Sequence, residues 1–250
     1  MKILVAGNSQ AGALKMAYDA HPEILGAVGQ LYFFVIPGGH GPYLNVKNDR
    51  LVVEMIVKDS PPYAAPAETP GMAVSEFDAV VISALGYVDG GFRFDNPITR
   101  LAALAEFEPI GDAAADELVS DRCYREMIRQ SLRGQHGFRF AKALRENYAG
   151  RIVVQPFPYS SAEMLSHEDW GLRKRYRNYL EAHRFFAIEK DLALQKISEE
   201  LRFELLDYPS AEWGQDFLTP QHLMRGSDCL HPTPEYGEKV LRQIRDRLHG

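Results

Sequence analysis

Cysteine is nearly missing from this chain. Cys123 and Cys229 are the two in 250 residues, too few for a disulfide framework or a four-thiolate zinc centre. Long apolar runs are missing too. No stretch approaches the roughly 18 consecutive apolar residues of a membrane-spanning helix. The opening run Ile3-Leu4-Val5-Ala6 stops at Gly7, short of the ~7–15 apolar residues of a secretory signal. These absences lead to the expectation of a cytoplasmic protein without a membrane partner. There is no excess of basic residues either. The formal net charge is −6 with His neutral, which leaves no general electrostatic footprint for nucleic acid. Internal repeats and low-complexity tracts are absent, so a solenoid or a disordered chain is excluded.

What remains is an ordinary globular composition, 46% hydrophobic and 25% charged, in a chain long enough to bury a core without staples. Apolar runs rich in Val, Ile and Phe recur at 3–6, 31–36, 79–83, 151–155 and 203–206. They lack the polar alternation of a half-exposed strand, as expected of a parallel sheet covered on both faces. Helical patterns stand between and after them at 11–20, 115–132, 138–147, 172–201 (one long helix or two) and 234–248. Strands alternating with helices predict a three-layer α/β/α domain of flavodoxin-like order, with about five parallel strands. The whole chain, 1–250, reads as one domain. An insertion at about 40–76 interrupts it: an alternating segment at 43–57 turning at Lys47-Asn48-Asp49-Arg50, then a loop carrying Pro61, Pro62, Pro66 and Pro70. The hairpin is expected near the carboxyl ends of the strands or at a sheet edge.

Open α/β sheets bind ligands at the carboxyl ends of their strands, so the first strand-to-helix turn, Gly7-Asn8-Ser9-Gln10-Ala11-Gly12, is the first place to look for chemistry. A dinucleotide fingerprint needs Gly where Ser9 stands and a carboxylate after the second strand. A phosphate loop needs Gly-Lys-Ser/Thr where Gly12-Ala13-Leu14 stands. Neither is present. Ser9 is either the N-cap of the helix or a nucleophile set among the unpaired N–H groups at its start. Near the other end stands Gly226-Ser227-Asp228-Cys229-Leu230-His231-Pro232. Asp228 and His231, three apart on one turn, would let a carboxylate orient an imidazole that takes a proton from a serine.

In these two blocks the sequence resembles the SGNH/GDSL hydrolase superfamily, whose nucleophilic Ser follows the first strand and whose Asp-x-x-His precedes the last helix. The resemblance implies a serine esterase acting on an acyl ester, O-acetyl above all, of a small molecule or saccharide. It implies Ser9 as nucleophile, His231 as base, Asp228 as its orienter, and an oxyanion hole drawing on Gly39 in the Gly38-Gly39-His40-Gly41 segment. Val88 stands where the family carries an Asn donor, so Gln10, Tyr87 or Asn96 would have to replace it. The Gly-Asn-Ser-Gln form is also similar to capsule-polysaccharide acetyltransferase-like members of the fold. That similarity implies, as an alternative, transfer from acetyl-CoA to a saccharide. A second alternative is a non-catalytic SGNH-like binding module with the aromatics of the long helix as its surface. Hydrolysis needs no cofactor.

The other titratable residues read as structural. Arg122, Arg125, Arg129, Arg133, Arg173, Lys174, Arg175 and Arg177 are interleaved with acids and read as solvated helix faces before they read as a coenzyme A site. No zinc-type ligand spacing occurs, and no metal is expected. His183 reads as a surface or capping residue, and Cys123 as a buried apolar one.

Overall fold

A computed structural model of the chain describes residues 1–36, 42–55, 71–85, 107, 110, 120–159, 161–166, 173, 176–208, 217–226 and 228–249. Of these, the side chains at 42, 43, 54, 55, 84, 85, 121, 136, 164, 166 and 228–230 are outside the description. The elements run β1 (Lys2–Gly7), α1 (Ala11–Ala20), β2 (Gln30–Val35), β3 (Pro42–Lys47), β4 (Arg50–Met55) and β5 (Ala79–Leu85). They continue with α2 (Asp121–Gly134), α3 (His136–Asn147), β6 (Arg151–Pro156), α4 (Ala162–Ser166), α5 (Tyr179–Leu201) and β7 (Glu204–Leu205). The chain then forms β8 (Met224–Arg225), β9 (Asp228–Pro232) and α6 (Pro234–His249).

Five strands make one sheet in the order β2-β1-β5-β6-β7, with every neighbouring pair parallel. This is the flavodoxin-like order once the β3–β4 hairpin is set aside. Because side chains alternate across a strand, each strand feeds two cores. Leu4, Ala6, Val80, Ile82, Ile152 and Val154 point to the face covered by α2, α3 and α5. Ile3, Val5, Ala79, Val81 and Val153 point to the face covered by α1 and α6. Burial on both faces is why these runs carry no polar alternation. The three-layer α/β/α domain is therefore present.

The hairpin is present and forms a two-stranded sheet of its own. Asn48 and Asp49, at φ 50° and 65°, make the two-residue turn that matches the strand twist. Leu44, Val46 and Leu51 then bury into the core on the α3 side, fastened by Ser75 N–H donating to Asp49 Oδ1 at 3.0 Å. The 172–201 pattern, open to one helix or two, shows Arg173 helical, a break at Tyr176–Asn178 and then α5 from Tyr179. One expectation needs correction. Cys123, expected to be buried, is exposed: the buried stripe of α2 is Tyr124, Ile128 and Leu132, spaced by four, and Cys123 stands one residue off it.

At the foot of the sheet, away from the end of β1 that leads to Ser9, the C-termini of α3 and α5 converge. Their last carbonyls have no helical partner and carry the negative end of the dipole. Arg145 answers them. Its Nε donates to Leu201 O at 2.9 Å, Nη1 to Tyr148 O and Gly150 O at 3.2 and 3.1 Å, and Nη2 to Arg202 O at 2.7 Å. Burial, and then the neighbouring Arg202 charge, hold its pKa below that of an ordinary arginine. Arg151 stands beside it, bidentate to Glu204 at 2.8 and 2.9 Å. The cleft lined by Arg145, Arg151, Arg202 and Glu204 is the outer surface of this carbonyl cage. Arg145→Ala should lower the unfolding free energy in urea by roughly 2–4 kcal/mol, since it strips donors from several partly buried carbonyls. Arg145→Lys should recover little, because one ammonium cannot span four acceptors.

Candidate active site

The site is assembled where β1 gives way to α1. Asn8 folds its side chain over the turn, its Oδ1 accepting from Gln10 N–H at 3.0 Å, an Asx turn that Asn makes as readily as Asp. Ala11 N–H donates to Asn8 O at 2.9 Å and Gly12 N–H to Ser9 O at 3.0 Å. Three successive N–H groups are thus taken within the turn, while that of Ser9 has no acceptor among the described residues. Gln10, not Ser9, occupies the N-cap position of α1, and no side chain caps that helix. The capping explanation for Ser9 fails.

Ser9 has another use. Its Oγ lies 3.0 Å from His231 Nε2, across 222 residues of sequence. With the hydroxyl donating, Nε2 is the acceptor and the ring proton sits on Nδ1. The turn-like reading of Asp228-x-x-His231 is corrected here. The segment is the strand β9, paired antiparallel with β8 through Met224–Pro232 and Arg225–Asp228, and the helix starts only at Pro234. The Asp228 side chain lies outside the described residues, as do Gly39, Tyr87, Val88 and Asn96. Gln10 is buried beneath the turn.

Two close approaches pack the elements around Ser9 and His231. A Cβ on Gly7 would meet Ser83 Cβ and Ser83 O at 3.0 Å, tighter than ordinary side-chain contact, so glycine there eases the approach of β1 to β5. A Cβ on Gly237 would stand 2.3 Å from Ala13 O and 3.1 Å from Ala17 Cβ. The first turn of α6 therefore seats directly on α1, the helix that Ser9 precedes.

The stretch leading into β8 is held from the end of β6. Thr219 Oγ1 donates to Tyr159 O, and Phe217 meets the Tyr159 ring edge-on at 5.5 Å. His183, expected at the surface, is buried with Nε2 3.0 Å from Phe217 O. No sequence pattern announced that pairing. Tyr159 stacks on Tyr208 at 4.1 Å, both hydroxyls donate to Asp191, and Lys190 Nζ lies 4.4 Å from the Tyr159 ring centre.

The aromatics and basic residues of the outer helices take structural parts. Tyr176 and Phe186 are core residues, so they offer no interaction surface. Arg125 pairs with Glu189 at 2.9 Å and Arg133 with Glu200 at 2.9 Å. Arg173 lies over the Tyr179 ring, while Lys174 and Arg175 lie outside the described residues. Among the described residues no group of three His, Cys, Asp or Glu side chains is placed to hold a metal ion, and no helix is long and apolar enough to cross a membrane.

Burial, and then the Asp191 charge, push the Tyr159 and Tyr208 hydroxyls far above the usual tyrosine pKa of 10.0. Burial alone raises Tyr236. A raised pKa in the folded chain stabilises it in full below the unfolded value, and that contribution fades as pH rises past about 10. Each such tyrosine should cost about 1.4 kcal/mol per pH unit there. Cooperative alkaline unfolding is expected, with the last part of the tyrosinate absorbance, that of the buried tyrosines, appearing in the same step as loss of helix. Tyr208→Phe should make the stability-versus-pH slope shallower by one tyrosine's share. Full tyrosinate absorbance of all twelve tyrosines before any loss of helix would contradict this.

No protein-family model matches the sequence. No curated protein matches it either. Solved structures similar to it include a protein from Slackia heliotrinireducens described as an SGNH hydrolase, 13% identical, covering 100% of this chain and 99% of that one, TM-score 0.45. A variant of an acetyl xylan esterase from Geobacillus stearothermophilus is 14% identical, covering 99% and 94%, TM-score 0.42. An active-site mutant of a family two carbohydrate esterase from Clostridium thermocellum is 10% identical, covering 99% and 62%, TM-score 0.40. At 10–14% identity these are distant likenesses to SGNH hydrolases and carbohydrate esterases. The strand order and the junction of Ser9 with His231 rest on this chain's own geometry.

Proposed function

We propose that this protein is a serine-dependent ester hydrolase of the SGNH type, acting on a short acyl ester, O-acetyl first among them, of a small alcohol or a saccharide. The observation that carries the reading is the 3.0 Å approach of Ser9 Oγ to His231 Nε2, at the point where the strand order reverses and open sheets bind ligands. A serine hydroxyl within hydrogen-bond reach of an imidazole nitrogen is the pairing that acyl transfer requires.

In this reading Ser9 Oγ attacks the ester carbonyl while His231 Nε2 takes its proton. The negative charge collects on the carbonyl oxygen. The Ser9 N–H, left over by the turn's own hydrogen bonds, donates to it, with Gly39 and a second donor such as Tyr87 or the Gln10 side-chain amide completing the hole. The imidazolium returns its proton to the departing alcohol, the C–O bond to that alcohol breaks, and Ser9 is left acylated. Water, deprotonated by the same His231, then releases the acid and restores Ser9. Asp228 is assigned the Nδ1–H of His231, fixing the ring tautomer and stabilising the imidazolium.

Hydrolysis is preferred to transfer from acetyl-CoA because Arg125 and Arg133 are already paired with glutamates, leaving less free positive charge for the coenzyme phosphates. Ser9→Ala and His231→Ala should each lower hydrolysis of p-nitrophenyl acetate by about 10³-fold or more, with thermal stability little changed. Full turnover in either variant would refute the assignment. Titration with acetyl-CoA should give no heat. Micromolar binding that is lost in Arg173→Glu would move the reading to a transferase.

A further inference from the structure

Beneath the Ser9–His231 pair lie three buried polar side chains to which acyl transfer gives no part. Ser83 on β5, Gln155 on β6 and Tyr236 in the first turn of α6 are 4%, 1% and 0% exposed. Ser83 Oγ donates to Gln155 Oε1 at 2.8 Å, and Gln155 Nε2 donates to Tyr236 Oη at 3.3 Å. A half-turn of the amide reverses both bonds and breaks neither.

The two ends of this chain of hydrogen bonds lead back along the chain to the two halves of the site. Ser83 is the ladder partner of Gly7, two residues before the nucleophile. The β5–β6 register shifts between Ile82 and Leu85, the stretch that carries Ser83, as ladders often do beside active sites. Tyr236 follows His231 by five residues and precedes Gly237, the residue that seats α6 on α1. By strand alternation Ser83 and Gln155 face the same way as Val81 and Val153, into the core shared with α1 and α6.

Burying three polar groups there is costlier than burying three apolar ones of the same shape, even with every bond made. What hydrogen bonds supply that apolar contacts do not is direction. Apolar packing between a helix and a sheet tolerates sliding. A bond from Gln155 to Tyr236 sets where along the sheet the first turn of α6 comes to rest, and β9 enters that turn directly from His231. Glutamine suits the task because one planar amide offers an acceptor to Ser83 and a donor to Tyr236 at once.

We propose that Gln155 is a positioning residue for the Ser9–His231 pair: through Tyr236 it fixes the register of α6 on the sheet, and so the reach of His231 Nε2 to Ser9 Oγ. The inference rests on the serine hydrolase reading above and adds to it a residue that touches neither substrate nor nucleophile.

The test compares wild type, Gln155→Leu, Tyr236→Phe and Gln155→Glu, with the rate of covalent labelling of Ser9 by a fluorophosphonate and p-nitrophenyl acetate hydrolysis as readouts. Gln155→Leu and Tyr236→Phe should each lower the maximal labelling rate and kcat by about 10–100-fold, the scale of a misplacement near 1 Å. KM and the half-saturating phosphonate concentration should move by less than about threefold, because the binding surface is intact. Gln155→Glu should behave like wild type only at acid pH, where a protonated carboxyl can donate and accept as the amide does. Its labelling rate should then fall as pH rises, on a limb the wild type lacks. Folded Gln155→Leu or Tyr236→Phe protein with labelling rate and kcat within about twofold of wild type overturns the proposal. If Gln155→Leu does not fold, Tyr236→Phe, which removes one oxygen atom, decides alone. Turnover that survives Ser9→Ala overturns the hydrolase reading and this proposal with it. A silent Ser9→Ala beside fully active Gln155→Leu and Tyr236→Phe overturns this one only.

Discussion

The seating of Gly237 on Ala13 is the contact on which the site depends, because it is there that residues from the two ends of the chain are held at a fixed separation. A methyl group at position 237 would need the space of a backbone carbonyl, 2.3 Å away. Glycine lets the first turn of α6 rest on α1 at a distance no other residue allows. Ser9 precedes one of these helices and His231 the other, so a helix-packing distance becomes a hydrogen-bond distance of 3.0 Å. Gly7 eases a second approach one layer inward, that of β1 to β5 at Ser83. The site is thus built on close backbone approach, with the side chains of Ser9 and His231 carried on top.

The surroundings serve that arrangement at some cost. Tyr159, Tyr208, Asp191 and Lys190 form a partly buried, hydrogen-bonded cluster at the ends of β6 and β7, and its backbone holds Thr219 ahead of the β8–β9 hairpin. Ser83, Gln155 and Tyr236 link the sheet to α6 by directed bonds where apolar residues would have packed more cheaply. At the opposite end of the strands Arg145 spends its donors on helix carbonyls. Polar groups near Ser9 restrict geometry, while those at the foot of the sheet repair helix ends.

Much of the fold was legible in the sequence, because a strand buried on both faces announces itself as a short apolar run, and all five such runs became sheet strands. The phase of α2 was readable too, in Tyr124, Ile128 and Leu132, and following it would have placed Cys123 outside. The hairpin turn was legible in Asn48-Asp49, its docking on α3 was not, since burial of Leu44 and Val46 depends on a distant partner. Ser9 and His231 stood out by residue type and by position against the ends of the chain. Local spacing misled at Asp228–His231, where a helical turn was expected and β9 forms, because its partner β8 is only two residues long and gives no pattern of its own. His183 and Gln155 were invisible for the same reason. A lone polar residue in an apolar run shows its meaning only when Phe217 or Tyr236 is found beside it.

The claim at the centre of this account is that Ser9 is a nucleophile activated by His231 across the junction of the two chain ends. Mass-spectrometric mapping of a fluorophosphonate adduct on wild type and on His231→Ala tests it whatever ester the protein takes as substrate. The account predicts a single adduct on Ser9 in wild type, formed at least about 10²-fold more slowly in His231→Ala. No adduct at Ser9, or labelling at the same rate without the imidazole, would contradict it.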